Sequence, residues 1–279
     1  MAAPSEGMSV RFWGVRGSIA CPGPETVRYG GNTSCVEIRC GEHLLIFDAG
    51  TGLRALGRSL AAEGAGVDAD LFCSHTHLDH VCGFPFFAPC YARGNRLRVW
   101  AGHLPPGGDI RDIFHLMMSA PLFPDVMETF PAAIDFRNFD CGETLSPRPG
   151  IAIRTASLNH PGGATGYRVE WRGKSVAYVT DTEHRAGALD PQVLGLVQDA
   201  DIAIYDAQYT DDDYGPHAGW GHSTWREAVK IAERAAVKTL VLFHHDPART
   251  DAMLDAIGDA AAAARSGTIV AKEGLTLTP

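Results

Sequence analysis

The segment from His75 to His80 contains the residues whose types and spacing are best suited to chemistry. It reads His-Thr-His-Leu-Asp-His, which places three imidazoles and one carboxylate within six residues. On an extended backbone His75 and His77 point to the same side and can bind one metal ion through ring nitrogens. Asp79 and His80 can then serve a second ion. A solvated histidine-rich loop is the alternative, but so dense a run of ligand residues seldom arises by chance.

Two metal ions in one site lie about 3.5–4 Å apart and need a shared anionic bridge and further ligands. This hypothesis predicts more histidine and aspartate residues at strand ends elsewhere in the chain. His160, Asp181 and His244 each follow a predicted β-strand. Any one of them alone would more often be a core or capping residue, but their common position favours a shared role. His245 stands beside His244, and the sequence does not decide which of the two is the ligand.

These side chains can meet only if several strands end close together, and the hydrophobic pattern predicts such strands. They are predicted at residues 10–15, 35–40, 44–48, 69–74, 97–101, 151–158, 165–171, 175–180, 202–205 and 239–243, with a last one within 269–277. Helices are predicted at 53–63, 110–118, 224–237 and 251–265. Two strand-rich halves, each followed by helices, predict an α/β fold of two facing sheets with helices outside. We expect one domain over 1–279, with an irregular insertion at about 103–149.

The composition excludes several classes of protein. The 279 residues are 45% hydrophobic and 20% charged, and no apolar run is long enough to span a membrane. The first residues lack the apolar core of a signal peptide, so a cytoplasmic location without membrane contact is expected. A net charge of -9 opposes the field that gathers phosphate backbones, so a large nucleic acid is disfavoured as a partner. The seven cysteines form no CxxC pair and are interpreted as reduced thiols.

The whole pattern resembles the metallo-β-lactamase superfamily, whose signature is HxHxDH followed by His, Asp and His at later strand ends. The resemblance covers nearly the whole chain and implies a four-layer αββα sandwich. Asp48, in the run Leu-Ile-Phe-Asp-Ala-Gly, matches the superfamily's early aspartate, which supports the metal loop without binding metal. The run Gly-His-Ser-Thr at 221–224, followed by a helix and a strand, is similar to the ribonuclease Z and phosphodiesterase branch.

The resemblance implies a dinuclear zinc centre and assigns its ligands. One ion takes His75, His77 and His160, the other takes Asp79, His80 and His244, and Asp181 bridges the two. Mn²⁺ or Fe²⁺ would also suit these residue types. A hydroxide that bridges the two ions would be the nucleophile.

The same branch implies that His222 is catalytic and protonates the leaving alkoxide or stabilises its charge. Together with Asp79 it makes up the set of candidate catalytic residues. Asp206 and Glu183 are alternative candidates to orient the His222 ring. The loop at 209–220 leads into His222 and is predicted to rim the site.

The predicted activity is hydrolysis of a phosphodiester in a small-molecule substrate, with a cyclic nucleotide as the leading candidate. Ribonuclease Z proteins that act on tRNA carry a protruding arm between the positions of His160 and Asp181. Here only twenty residues separate these two positions, which is enough for a hairpin alone. Acyl hydrolysis of a lactone or thioester and a non-catalytic metal-bound sensor are the alternatives. Members of the branch are often dimers, so a homodimer stays open.

Overall fold

The computed structural model describes residues 7–124, 127–185 and 187–279. The strands of these residues are β1 (Met8–Gly14), β2 (Cys35–Cys40), β3 (His43–Phe47), β4 (Asp68–Cys73), β5 (Arg96–Ala101), β6 (Ala133–Asn138), β7 (Thr144–Leu145), β8 (Ile151–Leu158), β9 (Ala164–Trp171), β10 (Lys174–Val179), β11 (Ile202–Asp206), β12 (Thr239–Phe243), β13 (Thr268–Val270) and β14 (Thr276–Leu277). Their α-helices are α1 (Gly52–Glu63), α2 (Leu78–Val81), α3 (Ile110–Met117), α4 (Pro191–Val197), α5 (Asp211–Tyr214), α6 (Trp225–Arg234) and α7 (Asp251–Ala264). Short 3-10 helices occupy Phe84–Phe86, Ala88–Tyr91, Met127–Thr129 and Gly215–His217.

The described strands form two mixed sheets of seven strands each. The first has the order β14-β1-β2-β3-β4-β5-β6, and the second has the order β13-β12-β11-β10-β9-β8-β7. In each sheet an antiparallel part joins a parallel part, which runs from β3 to β6 in the first sheet and from β10 to β13 in the second. Parallel neighbours end at the same edge of a sheet. Residues that follow β4, β10, β11 and β12 are therefore brought to common edges.

Three apolar clusters hold the layers together. The central cluster lies between the two sheets and includes Phe12, Phe47, Phe72, Tyr178 and Phe243. A second cluster buries the outer face of the first sheet beneath α1 and α3, and a third buries the outer face of the second sheet beneath α4 and α6. Each sheet is covered on both faces, which is why its parallel strands are almost continuously apolar. The predicted four-layer α/β arrangement is confirmed.

Most predicted elements are present, and their ends differ from the predicted ones by at most three residues. The segment 103–149 is more regular than the sequence suggests, because besides α3 it contributes β6 at the edge of the first sheet and β7 at the edge of the second. The burial of β6 alternates only weakly, so its period is hard to recognise. The predicted last strand is two strands, β13 and β14, which belong to different sheets.

Local capping explains where α1 ends and where α6 begins. Gly64 ends α1 in a left-handed conformation with φ of 70°, which glycine adopts without a Cβ penalty. Thr224 caps the start of α6 by accepting a hydrogen bond from the Glu227 backbone N–H. Among the described residues, no helix has both the length and the apolar character that crossing a lipid bilayer requires.

Candidate metal centre

The predicted ligands meet where strands of the two sheets end. His75 follows β4, Asp181 follows β10 and His244 follows β12. Asp181 and His244 have positive φ angles of 54° and 61°, and Asp48, which follows β3, has a φ of 61°. Non-glycine residues rarely adopt this backbone conformation, and such strain is typical of functional sites. The strained turns direct the side chains away from their strands and into one centre.

The first group of candidate ligands combines the start of the histidine loop with the second sheet. Its ligand atoms lie within 4.8 Å of one another and belong to His75, His77, His160 and Asp181. The Nδ1 atom of His77 is 3.1 Å from the Nε2 atom of His160. Asp181 Oδ2 lies 3.5 Å from His75 Nε2 and 3.7 Å from His160 Nε2. This group is the one that the resemblance assigns to the first ion.

The second group combines the end of the histidine loop with β12. Its members are Asp79, His80 and His244, and all three are buried. Their facing atoms are close, since the Nε2 atoms of His80 and His244 are 3.1 Å apart. Asp79 Oδ2 lies 3.1 Å from the first of these nitrogens and 3.3 Å from the second.

Asp181 lies between the two groups and turns one carboxylate oxygen to each. Oδ2 faces the first group, whereas Oδ1 is 3.2 Å from both His80 Nε2 and His244 Nε2. This orientation suits a bridging carboxylate, because each of its oxygens is available to a different ion.

The outer nitrogens of four histidines bond to protein groups, which fixes the direction of each ring. His75 Nδ1 lies 3.1 Å from Ser74 Oγ, His80 Nδ1 lies 2.7 Å from Asp48 Oδ2, His160 Nδ1 lies 2.9 Å from the Gly221 carbonyl oxygen and His244 Nδ1 lies 2.9 Å from Gln208 Oε1. Asp48 has the supporting position implied by the resemblance, since it also accepts hydrogen bonds from Ser74 and Tyr178.

The residues present fit divalent metal ions. Nitrogens bound tetrahedrally to zinc are about 3.3 Å apart, given bonds of about 2.0–2.1 Å, and two pairs of ring nitrogens here approach to 3.1 Å. The buried Nε2 atom of His75 has no hydrogen-bond partner among the described residues, although it points into the first group. A buried nitrogen in this situation is costly unless it binds an ion. The centre is therefore suited to metal, as the fold implies.

The protonation states favour the same interpretation. Burial, together with the neighbouring His80, holds the pKa of His75 well below its usual value, so that its ring is neutral. Burial by itself would lower the pKa of His80. The carboxylates of Asp181, Asp79 and Asp48 act in the opposite direction and raise this pKa well above its usual value. The second group thus attracts positive charge. A proton on His80 and a metal ion are alternatives there, because a protonated imidazole cannot bind metal.

His222 lies beside both groups and is held by Asp206. Its Nδ1 atom is 2.9 Å from Asp206 Oδ2 and 3.9 Å from Asp181 Oδ2. Burial opposes protonation of His222, but attraction and hydrogen bonding by Asp206 prevail and raise its pKa to about 9. Of the two candidates to orient this ring, Asp206 is the one that contacts it. Glu183 instead accepts hydrogen bonds from the backbone N–H groups of Gly219 and Gly221.

The structure distinguishes His244 from His245. His244 turns its Nε2 atom into the second group, whereas His245 Nε2 lies 2.9 Å from the carbonyl oxygen of Ala271, away from that group. Burial lowers the pKa of His245 to about 3, so that it is a neutral core residue.

Alanine substitutions at these two positions are expected to have different effects on metal content. His244→Ala removes a candidate ligand, so the purified protein should hold roughly one ion per chain where the wild type holds roughly two. His245→Ala leaves the Ala271 carbonyl without its partner and should cost about 1–3 kcal/mol of stability while metal is retained. Metal analysis and urea unfolding of both variants test this. Equal metal loss in the two variants would contradict the distinction.

Three supporting groups were not identified from the sequence. The backbone N–H of Ser18 donates to Asp79 Oδ2 at 2.7 Å, and Gln208 holds His244. Gly17 lets this segment pass the His244 ring, since a Cβ there would lie 2.4 Å from its Nδ1 atom. Gln208 follows the end of β11, which is the kind of position that indicated His160, Asp181 and His244, so the sequence does contain a signal for it. The Ser18 contact involves only the backbone, and no side-chain pattern could indicate it.

Known proteins resemble this chain in sequence and in fold. Residues 43–245 match the family model described as the beta-lactamase superfamily domain. Ribonuclease Z of Haloarcula marismortui is 26% identical over 95% of this chain and 94% of its own. The metallo-beta-lactamase fold protein YhfI from Bacillus subtilis superposes with a TM-score of 0.72 at 19% identity, over 98% and 99% of the two chains. The short form of human tRNase Z superposes with a TM-score of 0.68 at 18% identity, over 97% and 98%.

These relatives correct one prediction. The acidic net charge led us to disfavour a large nucleic acid as partner, yet curated relatives of similar length are named ribonuclease Z and a structural neighbour is named tRNase Z. The prediction is wrong, because net charge sums over the whole surface whereas nucleic-acid contact depends on local charge.

The family match confirms the superfamily inferred from the HxHxDH pattern, and this match together with the relatives named ribonuclease Z confirms the hydrolase class. The match spans the histidine loop, both groups of candidate ligands and His222. The chain belongs to the beta-lactamase superfamily and has its metal-dependent hydrolase fold.

Proposed function

We propose that this protein is a dinuclear metal-dependent phosphodiesterase in which His222 assists departure of the alkoxide. The observation that carries the proposal is the His222–Asp206 pair, with Nδ1 and Oδ2 2.9 Å apart, beside two groups of candidate ligands that Asp181 faces with one oxygen each. Two bound zinc ions would supply a water of lowered pKa and positive charge opposite the phosphoryl oxygens.

The residues around that centre have separate roles in the proposal. Asp206 accepts a hydrogen bond from His222 Nδ1–H and favours the doubly protonated ring, whose Nε2–H can give its proton to the leaving oxygen. Asp79 acts as a ligand and is held by the Ser18 backbone N–H. Asp48 orients the His80 ring through the contact between its Oδ2 atom and His80 Nδ1. A third possible ligand group, which contains Asp181, Asp206, His222 and His244, gives the competing role in which His222 binds metal itself.

Two kinds of phosphodiester are candidates for the substrate. An RNA is supported by the relatives named ribonuclease Z. A cyclic nucleotide is supported by the short connection between His160 and Asp181. There β9 and β10 pair antiparallel, with Trp171 opposite Lys174, and they form no protruding arm. Turnover of a precursor tRNA and of 3′,5′-cyclic AMP at equal enzyme concentration decides between them.

The general proposal is tested with bis(p-nitrophenyl) phosphate and a chelator. Zinc-loaded protein should release p-nitrophenolate, and prior dialysis against chelator should abolish that release until zinc is restored. Circular dichroism of the chelated protein provides the control for folding. Metal-loaded protein that opens a lactone or cleaves S-lactoylglutathione but no phosphodiester would replace the proposal with acyl hydrolysis. Bound metal without any turnover would indicate a sensor.

A further inference from the structure

Three exposed apolar side chains lie within one or two residues, along the chain, of groups at the candidate metal centre. Trp220, Leu78 and Ile19 are 61%, 71% and 65% exposed, although large apolar side chains are usually buried. Each is next to a residue of the centre. Leu78 lies between His77 and Asp79, and Ile19 follows Ser18, whose N–H donates to Asp79. The neighbours of these three residues in the chain meet at one centre, and exposed apolar groups at such a place are typical of ligand-binding surfaces.

The backbone on both sides of Trp220 is fixed against the centre. The Gly221 carbonyl oxygen lies 2.9 Å from His160 Nδ1, and a Cβ on Gly221, which has a φ of +88°, would lie 2.2 Å from that nitrogen. Glu183 binds the N–H groups of Gly219 and Gly221 at 2.7 Å and 2.9 Å. Trp220 is therefore held one residue from a contact to a candidate ligand and two residues from His222.

Aromatic contacts support the Trp220 indole from behind. Its ring meets the His217 ring edge-on at a centroid distance of 5.0 Å, and His217 stacks on Tyr209 at 4.6 Å. Tyr209 in turn lies 6.0 Å from the His222 ring. This row of rings joins the exposed indole to the candidate catalytic histidine. An indole placed in this way offers a flat apolar surface in the loop that leads to His222.

We propose that Trp220 is a stacking platform for the nucleobase of the substrate. A planar heteroaromatic base attached to a phosphodiester matches both the indole and the metal centre, and stacking of this kind accepts every base. The inference rests on the proposed function, which places the phosphate at the metals. RNA and cyclic nucleotides both carry such a base, so the platform explains recognition of either.

Calorimetric titration of zinc-loaded protein with AMP and with ribose 5-phosphate isolates the base, because both ligands carry the same phosphate. We expect wild type to bind AMP roughly 5- to 150-fold more tightly, since base–aromatic stacking is worth roughly 1–3 kcal/mol. Trp220→Ala should remove this preference, and Trp220→Phe should keep most of it. Met253→Ala, which shortens an apolar side chain of α7 that is 41% exposed, is the matched control and should not change it.

The outcomes separate this proposal from the proposed function. Equal affinities of wild type for the two ligands, binding of neither ligand, or an unchanged preference in Trp220→Ala would each overturn the platform. The titration needs no turnover, so an inactive protein that still prefers AMP would refute the phosphodiesterase proposal alone. KM values for 3′,5′-cyclic AMP and for a short single-stranded RNA identify the source of the base. A rise in Trp220→Ala for either one supports the platform, and a rise for neither contradicts it.

Discussion

Asp181→Ala is expected to purify with less metal than wild type and to lose phosphodiester hydrolysis by roughly 10²-fold or more. Asp181 is the residue whose two oxygens face both groups of candidate ligands, at 3.2–3.7 Å from four histidine nitrogens. Its removal affects both ions. Loss of a residue that only hydrogen-bonds to a metal ligand already costs 10–100-fold in metal affinity or activity. Metal content per chain and kcat/KM for bis(p-nitrophenyl) phosphate measure the two effects.

Thermal unfolding gives an independent measure of the same loss. Metal that binds only the folded state stabilises it by about 2.7 kcal/mol when its free concentration is 100 times Kd, so added zinc should raise the Tm of wild type. The Tm of Asp181→Ala should respond much less. Asp255→Asn is the matched control, because it alters an exposed carboxylate that pairs with Arg28 and should leave metal content and activity unchanged. Full metal content in Asp181→Ala would contradict the bridging role.

His222→Ala is expected to lower kcat by about 10²–10⁴-fold while metal content stays at the wild-type value, because loss of a general acid has an effect of this size. The kcat of Asp206→Asn should lie between those of wild type and His222→Ala, since this substitution weakens the 2.9 Å contact that orients the ring. His115→Ala alters an exposed histidine on α3 and is the matched control. Loss of metal in His222→Ala would show that this residue is a ligand instead, and unchanged kcat would remove it from the reaction.

The pH profile tests the protonated form of His222. Asp206 raises the pKa of this ring to about 9 against the effect of burial, so activity that needs its proton is retained below that pH and lost as the pH rises through it. Bound dications oppose the proton, so the alkaline limb of kcat should lie at or below pH 9 in the metal-loaded enzyme. Asp206→Asn should move this limb to lower pH. A limb that stays in place in Asp206→Asn would mean that another group limits the rate.

Local sequence was sufficient to predict most strands, most helices and the candidate ligands. The HxHxDH run by itself predicts that His75 and His77 point to one side, because alternation on an extended segment is a property of neighbouring residues. Thr224 with Glu227 and the Gly64 stop signal likewise act over a few residues. His160, Asp181 and His244 were found because each follows a strand.

Tertiary structure decided the features that depend on residues far apart in the chain. Only the packed sheets show that Asp206 rather than Glu183 contacts His222, that His244 rather than His245 enters the centre, and that the Ser18 N–H holds Asp79. The row of rings from Tyr209 to Trp220 also depends on how the loop folds back on itself. The physical reason is that periodicity and spacing report which residues share a face or a strand end. The direction of each side chain is set by backbone turns and by partners on other strands, which no local pattern contains.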